Sequence, residues 1–372
     1  MRIALLAVLL AGGLLAQRHH VNINTETPEG QALQAIGQES DDAKKLAAYE
    51  KFVADNPKSE NLIWVYEQME PLYAKANQPD KAIEVGEKVI AADPEDLATA
   101  LTTLKAAEAK KDPDQVKKWS ATAAGIAQKV AAASKPADEE EEDWKKHVEF
   151  AKQVNTYSEY SLYAMALQTT DPRKKADLIE TLYARNPQSQ YSAQLIPLAL
   201  QAYQQVNDTD AGIALAEKVL AKDPTNDAML LVAANGYMQK NKEPDKVIAY
   251  SGKLVEVMNA KPKPDGVTDA DWASRKASTI GLAHYFPGKV YFNQKKYGQA
   301  DKELRIALPL LESNPALKPE VLFLLGFSDY KLENPMDALK YLQQCAAIRS
   351  PFQAQAAKNV TVIKSQYRAV KQ

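Results

Sequence analysis

The side chains that most often carry chemistry are scarce in this 372-residue chain, which has one cysteine and four histidines. His147 and His284 are far apart, and neither has a carboxylate or cysteine at metal-ligand spacing, so each is interpreted as a surface or groove residue. The sequence contains no nucleophile elbow, zinc-protease motif, phosphate-binding glycine loop or dinucleotide fingerprint. We therefore expect a non-enzyme with no catalytic residue, metal site or cofactor. A carboxylate pair among the 48 acidic residues is the one catalytic arrangement that these missing motifs do not exclude.

Two further candidates for metal or redox chemistry are His19 and the single cysteine, Cys345. Cleavage after Ala16 would make His19 the third residue of the mature chain, and a free amine with such a histidine can bind Cu(II) in a square plane of nitrogens. Gln17 would cyclise and block that amine, so an unstructured terminus is the preferred interpretation. Cys345 lies on the apolar stripe of a helix, which predicts a buried small hydrophobe. A single cysteine also makes a disulfide within the chain impossible.

The first sixteen residues have the three regions of a secretory signal peptide. Arg2 supplies a positive charge, an apolar run extends from Ile3 to Ala16, and a small residue closes it. This run is shorter than the roughly 20 residues that a transmembrane helix needs, which disfavours an uncleaved anchor. We expect cleavage after Ala16, no transmembrane span in the mature chain, and a periplasmic or secreted location.

The charge distribution argues against a nucleic-acid partner. The net charge is −2, and no basic patch stands out along the chain. The run Asp138 to Asp143 consists of six acidic residues. A calcium loop needs carboxylates that alternate with other residues and a turn glycine, and this run has neither. It is interpreted as the solvated start of a helix.

The elements that would position any site are repeated helical stretches. Good helix formers dominate the sequence, and Gly and Pro are expected between helices rather than inside them. Three windows share one order, in which an apolar stripe, a short polar break and a second apolar stripe end in proline. Their residues are Tyr66, Met69, Tyr73, Ala82, Val89 and Pro94; Ile196, Ala199, Leu200, Tyr203, Gly212, Ala216, Val219 and Pro224; and Leu322, Leu325, Gly326, Tyr330, Ala338, Leu342, Cys345 and Pro351.

This order resembles the tetratricopeptide repeat (TPR), whose pattern is W-x2-L-G-x2-Y…A-x3-F…P over 34 residues. Gly288 and Gly326 stand where a small residue would let the second helix of a pair approach the first closely. The resemblance extends roughly from Leu46 to Val370. It implies an all-α, right-handed superhelical solenoid of TPR-like helix pairs, whose first helices line a concave face.

A longer period lies above the single repeat. Pro94 and Pro224 are 130 residues apart, and Trp144 and Trp272 are 128 apart, which indicates a duplication. Each tryptophan is expected to pack the start of a long helix onto the preceding pair, with ligand stacking as the alternative. The predicted organisation is a signal peptide (1–16), a flexible N-terminal segment (17–40), a TPR-like array (41–351) with insertions near 129–150 and 259–275, and a C-terminal capping helix (352–372).

Helical periodicity gives each first helix a second stripe that should face the groove. The stripe is polar in the middle repeat and aromatic near the C-terminus, so we predict that a partner binds near the C-terminus. The alternative is that these aromatics fill the core against the capping helix. The predicted partner-binding residues are Tyr285, Lys289, Phe292, Phe323, Phe327 and Tyr330, and the stripes also include Leu282, Glu320, Leu231, Asn235 and Met238.

Together these features predict an exported protein–protein interaction scaffold of the bacterial cell envelope. The chain would bind a peptide or protein segment in the concave groove. The segment Leu46–Pro57 is similar to those of bacterial periplasmic repeat proteins that assist the assembly of envelope complexes. The alternatives are a self-associating structural envelope protein, which would be a homo-oligomer, and an accessory subunit of a cell-wall enzyme.

Overall fold

Helices are the only regular elements in the described part of the chain, as the sequence predicts. The computed structural model describes residues 23–137 and 139–370, apart from the side chains of residues 367–370. The predicted signal peptide (1–16) and His19 lie outside these residues. The chain divides between Val206 and Asn207 into two compact units, called unit 1 and unit 2.

In unit 1 each helix packs on the next helix along the chain, and contacts of α3 with α5, α5 with α7 and α6 with α8 join neighbouring pairs. The helices of unit 1 are α1 (Pro28–Gln38), α2 (Asp42–Asp55), α3 (Leu62–Lys75), α4 (Pro79–Ala92), α5 (Leu97–Lys110), α6 (Pro113–Ala132), α7 (Glu141–Gln168), α8 (Pro172–Arg185) and α9 (Ser192–Gln205). In unit 1, α3, α5 and α7 are the first helices of successive pairs, and α4, α6 and α8 are the second helices.

Unit 2 is built in the same way, and the first helices α11, α13 and α15 also contact one another in order. The helices of unit 2 are α10 (Thr209–Leu220), α11 (Asp227–Gln239), α12 (Pro244–Ala260), α13 (Asp269–Asn293), α14 (Tyr297–Leu310), α15 (Lys318–Lys331), α16 (Pro335–Ala346) and α17 (Gln353–Val370). The prediction of an all-α array of consecutively packed helices is confirmed within each unit.

Recurrent local signals determine where the helices begin and end. Asp112 and Asp171 accept backbone N–H bonds as N-caps, and each precedes a proline at the first helical position. A left-handed backbone occurs in most turns between the two helices of a pair, for example at Asn77 (φ 54°) after α3 and at both Asn241 (φ 51°) and Glu243 (φ 48°) after α11. Asparagine tolerates this conformation better than most residues. Lys111, Lys295 and Glu333 have the same conformation in the equivalent turns of other pairs.

Glycine permits close contact between the helices of two pairs in unit 2. A Cβ atom at Gly288 would lie 2.7 Å from Leu304 Cγ, and one at Gly326 would lie 2.6 Å from Leu342 Cγ. Carbon atoms at optimal contact are about 3.5–4.0 Å apart, so any larger residue would push the helices apart. The predicted role of these two glycines is confirmed.

In the pair α3–α4 of unit 1 the small residue lies on the other helix. The glycine belongs to the second helix, and an acidic residue of the first helix lies beside it. Glu70 of α3 is 1% exposed and lies beside Gly86 of α4. The Thr103 hydroxyl of α5 donates a hydrogen bond to the Glu70 carboxyl group. Burial raises the pKa of Glu70 well above its ordinary value, and the charge of Asp96 adds to this effect. A buried acid, favoured in its neutral form, therefore belongs to the core of unit 1.

The expectation that glycine and proline fall between helices is wrong at several positions. Pro71, Pro197, Pro287 and Pro309 lie inside α3, α9, α13 and α14. Glycines such as Gly288 and Gly326 also lie inside helices. An interior proline removes one main-chain hydrogen bond from its helix. Tertiary packing offsets this loss in α13, where Pro287 and the neighbouring Phe286 are both buried.

The helix positions repeat with the period read from the sequence. The starts of α3 and α9, Leu62 and Ser192, are 130 residues apart, and those of α7 and α13, Glu141 and Asp269, are 128 apart. Both long helices begin with an acidic first turn. Their tryptophans, Trp144 and Trp272, are buried, in agreement with a packing role.

The two ends of the described chain are helical. Helix α1 lies in the segment 17–40 that the sequence assigned as flexible, and Leu33 is buried there. Helix α17 lies within the predicted capping segment and packs on α15 and α16. None of the described helices has the length and apolar character needed to cross a bilayer.

Candidate functional site

A pocket of about 550 Å³, called the unit-2 pocket, opens between α11, α13 and the start of α15. Leu231, Leu282 and Leu317 line it and are partly buried, whereas Met238 and Phe286 belong to the hydrophobic core. Pockets of about 300–1,000 Å³ are typical of ligand sites. The unit-2 pocket therefore has room for an apolar side chain of a partner.

Tyr285, Lys289 and Glu320 form a polar cluster in this pocket. Lys289 Nζ lies 2.8 Å from Glu320 Oε1 and donates a hydrogen bond to the Tyr285 hydroxyl at 3.2 Å. Burial, together with the negative charge of Glu320, raises the pKa of the Tyr285 phenol above its ordinary value, so the phenol stays neutral. Because Lys289 and Glu320 carry opposite charges in contact, the cluster is neutral as a whole.

Four carboxamide side chains complete the lining of the pocket. Asn293 Nδ2 donates to Asn241 Oδ1 at 3.3 Å, and Gln239 Nε2 donates to Asn235 Oδ1 at 3.2 Å. A carboxamide has two donor hydrogens and an acceptor oxygen with two lone pairs, so each pair retains hydrogen-bonding capacity. Such groups can bind the main-chain N–H and C=O groups of an extended segment.

The other predicted partner-binding residues, Phe292, Phe323, Phe327 and Tyr330, form an aromatic cluster outside the pocket lining. The ring centroids of Phe292 and Phe327 are 5.6 Å apart, and those of Phe323 and Phe327 are 6.2 Å apart. Phe323 also contacts Phe352, just before α17, with centroids 5.4 Å apart. The Tyr330 hydroxyl donates a hydrogen bond to α17. The structure thus brings Tyr285 and Lys289 together in the pocket and packs this cluster toward the C-terminal helix.

Tyr285 belongs to the core as well as to the pocket, because its side chain is only 2% exposed. Its ring contacts the buried Phe286 at a centroid distance of 5.8 Å. A buried ring cannot be removed without loss of packing. Tyr285 is therefore part of the wall that shapes the pocket rather than a free anchor on its surface.

The equivalent first helices of unit 1 carry a tyrosine cluster. The Tyr157 hydroxyl donates to Glu108 Oε2 at 2.6 Å. Tyr163 stacks on Tyr191 with centroids 4.5 Å apart, and Tyr160 packs beside them while remaining 47% exposed. The aromatic rings of this cluster therefore pack against one another.

Within the described residues, His147, His284 and Cys345 do not assemble a reactive or metal site. His284 Nδ1 lies 2.7 Å from Glu303, and His147 contacts Glu139. Across residues 23–137 and 139–370, no group of three His, Cys, Asp or Glu side chains could hold a metal ion. Cys345 is fully buried, and burial raises its pKa to about 11, in agreement with its prediction as a core residue.

A second charged cluster in unit 2 surrounds Arg305. Its guanidinium group donates to Asp301 at 2.8 Å, to Asp329 at 2.8 Å, to Asp337 at 2.9 Å and to the Tyr341 hydroxyl at 3.0 Å. These partners lie on α14, α15 and α16, and Asp329 is fully buried. Since four side chains on three helices already accept hydrogen bonds from the guanidinium group, we interpret the cluster as a structural link between these helices.

Periodicity missed five pocket residues, which are Gln239, Asn241, Phe286, Asn293 and Leu317. Asn241 lies in a turn and Leu317 precedes α15, so neither belongs to a helical stripe. Asn293 is the last residue of α13 and lies one turn beyond Lys289. The sequence offered one signal for Asn241. An asparagine in the turn after a first helix places its side chain at the end of that helix, beside the pocket.

No protein-family model matches the chain. No curated protein matches it either. Among solved structures, yeast Tom70 aligns with 95% of this chain and 67% of that chain, at 14% identity and a TM-score of 0.34. The TPR domain of P58(IPK) aligns with 92% of this chain and 99% of that chain, at 12% identity and a TM-score of 0.27. Similarity at this level carries no inference about function.

Proposed function

We propose that this chain is an exported protein–protein interaction scaffold of the bacterial cell envelope, and that its unit-2 pocket binds an extended segment of a partner protein. One observation carries the proposal. Apolar side chains and carboxamides of α11, of α13 and of the segments that follow α11 and precede α15 lie together around one open pocket. This combination suits a partner that inserts an apolar side chain and offers its main chain to hydrogen-bonding groups.

The titratable groups of the pocket favour binding over catalysis. Lys289 is held by Glu320 and by the Tyr285 hydroxyl. A general base or nucleophile needs a free lone pair near its substrate, and an ion-paired ammonium has none. We therefore propose a non-catalytic role for the pocket.

The export part of the proposal depends on the N-terminal sequence. Arg2 followed by the apolar run Ile3–Ala16 has the features of a cleavable signal. Mass spectrometry of the protein recovered from the periplasm should give a mature N-terminus at Gln17. Recovery from the cytoplasm with residues 1–16 intact would contradict export without affecting the pocket.

The binding part is tested by a pull-down from envelope extract with the double variant Leu231→Glu/Leu282→Glu. Both leucines line the pocket and are only partly buried. Two carboxylates in an apolar pocket should reduce capture by about tenfold or more, as loss of a hot spot does. Capture is quantified by mass spectrometry of the retained proteins.

Leu332→Glu is the matched control, because Leu332 is an exposed leucine of unit 2 outside the pocket lining. It should leave capture unchanged. Circular dichroism of both variants should show wild-type helix content. Equal capture by the double variant and the wild type would contradict the proposed site.

A further inference from the structure

We infer that Glu320 determines the specificity of the unit-2 pocket: by holding Lys289, it makes the pocket accept an uncharged apolar side chain and exclude a carboxylate. This inference deepens the proposed function and rests on it, since it names the kind of side chain that the pocket receives.

Lys289 and Glu320 are the charged residues of the pocket lining. Their side chains are 30% and 17% exposed, so the pair is partly withdrawn from water. The 2.8 Å contact and the hydrogen bond to the Tyr285 hydroxyl fix the ammonium group on the pocket wall. A ligand therefore meets a cation whose charge is already neutralised.

An acidic side chain would have to compete with Glu320 for Lys289. Two carboxylates would then face one ammonium group in a region of reduced solvent screening, where like charges repel more strongly than in water. A basic side chain meets the equivalent obstacle, because Glu320 is engaged by Lys289. The electrostatics of the pocket thus favour a neutral side chain.

The rest of the lining gives that neutral side chain a matching environment. Leu231, Leu282 and Leu317 supply apolar contacts, and the four carboxamides supply uncharged hydrogen-bonding groups. Specificity arises as much from what a site excludes as from what it attracts. The ligand class that fits is an extended segment with an uncharged apolar side chain at the pocket.

The test uses two capped pentapeptides, Ac-Gly-Ser-Leu-Ser-Gly-NH2 and its counterpart with glutamate in place of leucine. Binding to the full chain is followed by NMR of ¹³C-methyl methionine. Met238 lines the pocket and serves as the reporter, and the buried Met69 and Met165 of unit 1 serve as internal controls. In the wild type the leucine peptide should shift the Met238 signal, and the glutamate peptide should bind at least about tenfold more weakly.

Glu320→Gln should then raise the affinity for the glutamate peptide by about tenfold, because it releases Lys289 from its partner. The affinity for the leucine peptide should not rise, because an unpaired ammonium group offers it no apolar contact, so the preference between the two peptides shifts by about tenfold or more toward glutamate. Adding Lys289→Met to this variant should abolish the gain. Unshifted Met69 and Met165 signals, together with Met229 and Met258 in the core of unit 2, confirm that the variants remain folded.

The outcomes separate this inference from the proposed function. Equal binding of both peptides to the wild type, or no gain with Glu320→Gln, would overturn the specificity role and leave the pocket as a binding site. A Met238 signal that responds to neither peptide would overturn the proposed pocket and, with it, this inference.

Discussion

Tyr157 in unit 1 and Tyr285 in unit 2 occupy the same position, the seventeenth residue of α7 and of α13, but they have different polar partners. The Tyr157 hydroxyl donates to Glu108 on α5, the preceding first helix. The Tyr285 hydroxyl accepts a hydrogen bond from Lys289 on its own helix. Lys289 is in turn paired with Glu320 on α15, the following first helix. The polar contacts of this duplicated tyrosine are thus directed toward the preceding first helix in unit 1 and toward the following first helix in unit 2.

The first helices that precede these tyrosines, α5 in unit 1 and α11 in unit 2, differ at two equivalent positions. Lys105 and Glu108 occupy the ninth and twelfth positions of α5, and Lys105 Nζ lies 5.6 Å from the centroid of the Tyr157 ring. Asn235 and Met238 occupy these positions in α11, and both line the pocket. Replacement of two charged side chains by neutral ones leaves a surface that a neutral ligand can enter. A few positions in a duplicated framework therefore distinguish a surface whose polar groups are paired with one another from a surface with an open pocket.

The largest expected effect comes from removal of the two rings. Tyr285→Ala should lower the free energy of unfolding by about 3–4 kcal/mol, because the ring is buried. Tyr157→Ala should cost only about 2 kcal/mol, because Tyr157 is partly exposed. Urea unfolding followed by the methyl signals of Met238 and Met165 reports the two units separately. Equal losses would contradict the difference in burial.

The next effect comes from transplanting the unit-1 side chains into unit 2 with the double variant Asn235→Lys/Met238→Glu. The charged pair should fill the pocket and weaken binding of the leucine peptide at least about tenfold, equivalent to about 1.4 kcal/mol. Binding is measured by leucine-methyl NMR of the pocket. The reciprocal variant in unit 1, Lys105→Asn/Glu108→Met, is the control and should leave this binding unchanged. Undiminished binding to the transplanted variant would show that these positions do not control access.

The smallest effects come from removal of the hydroxyl groups alone. Tyr157→Phe should cost about 1 kcal/mol, because Glu108 loses a hydrogen bond. Tyr285→Phe should cost no more than this, because Lys289 and Glu320, the two polar partners of its hydroxyl, keep their ion pair with each other. Chemical denaturation measures both changes. A larger loss for Tyr285→Phe would show that this hydroxyl, rather than the ion pair, holds Lys289.

The helix pairs and their close contacts could be predicted from the sequence because their causes are local. The stripes, the turn after each first helix and the closing proline all fall within one repeat. Gly326 could thus be assigned to the contact between two helices before its neighbour Leu342 was located. The period of 128–130 residues also followed from the positions of proline and tryptophan.

The site was predicted only in part because it depends on contacts between distant residues. Tyr285 and Phe323 lie on equivalent stripes, but Phe323 meets Phe352 beyond the last repeat whereas Tyr285 lies by the pocket. Periodicity cannot show which stripe the C-terminal helix will cover. The burial of Glu70 could not be predicted from periodicity either, because it depends on the small size of Gly86 in the next helix.

The central claim, that the unit-2 pocket captures a neutral segment of a partner, is tested most directly by site-specific photo-crosslinking. A p-benzoylphenylalanine is placed at Gln239, which lines the pocket, or at Ala109 as the control. Gln239 is the thirteenth residue of α11 and Ala109 the thirteenth residue of α5, and both are exposed. In envelope extract, position 239 should crosslink a partner, the leucine peptide should suppress this product, and the glutamate peptide should not. Equal crosslinking from positions 239 and 109, or a product at 239 that the leucine peptide leaves unchanged, would contradict the claim.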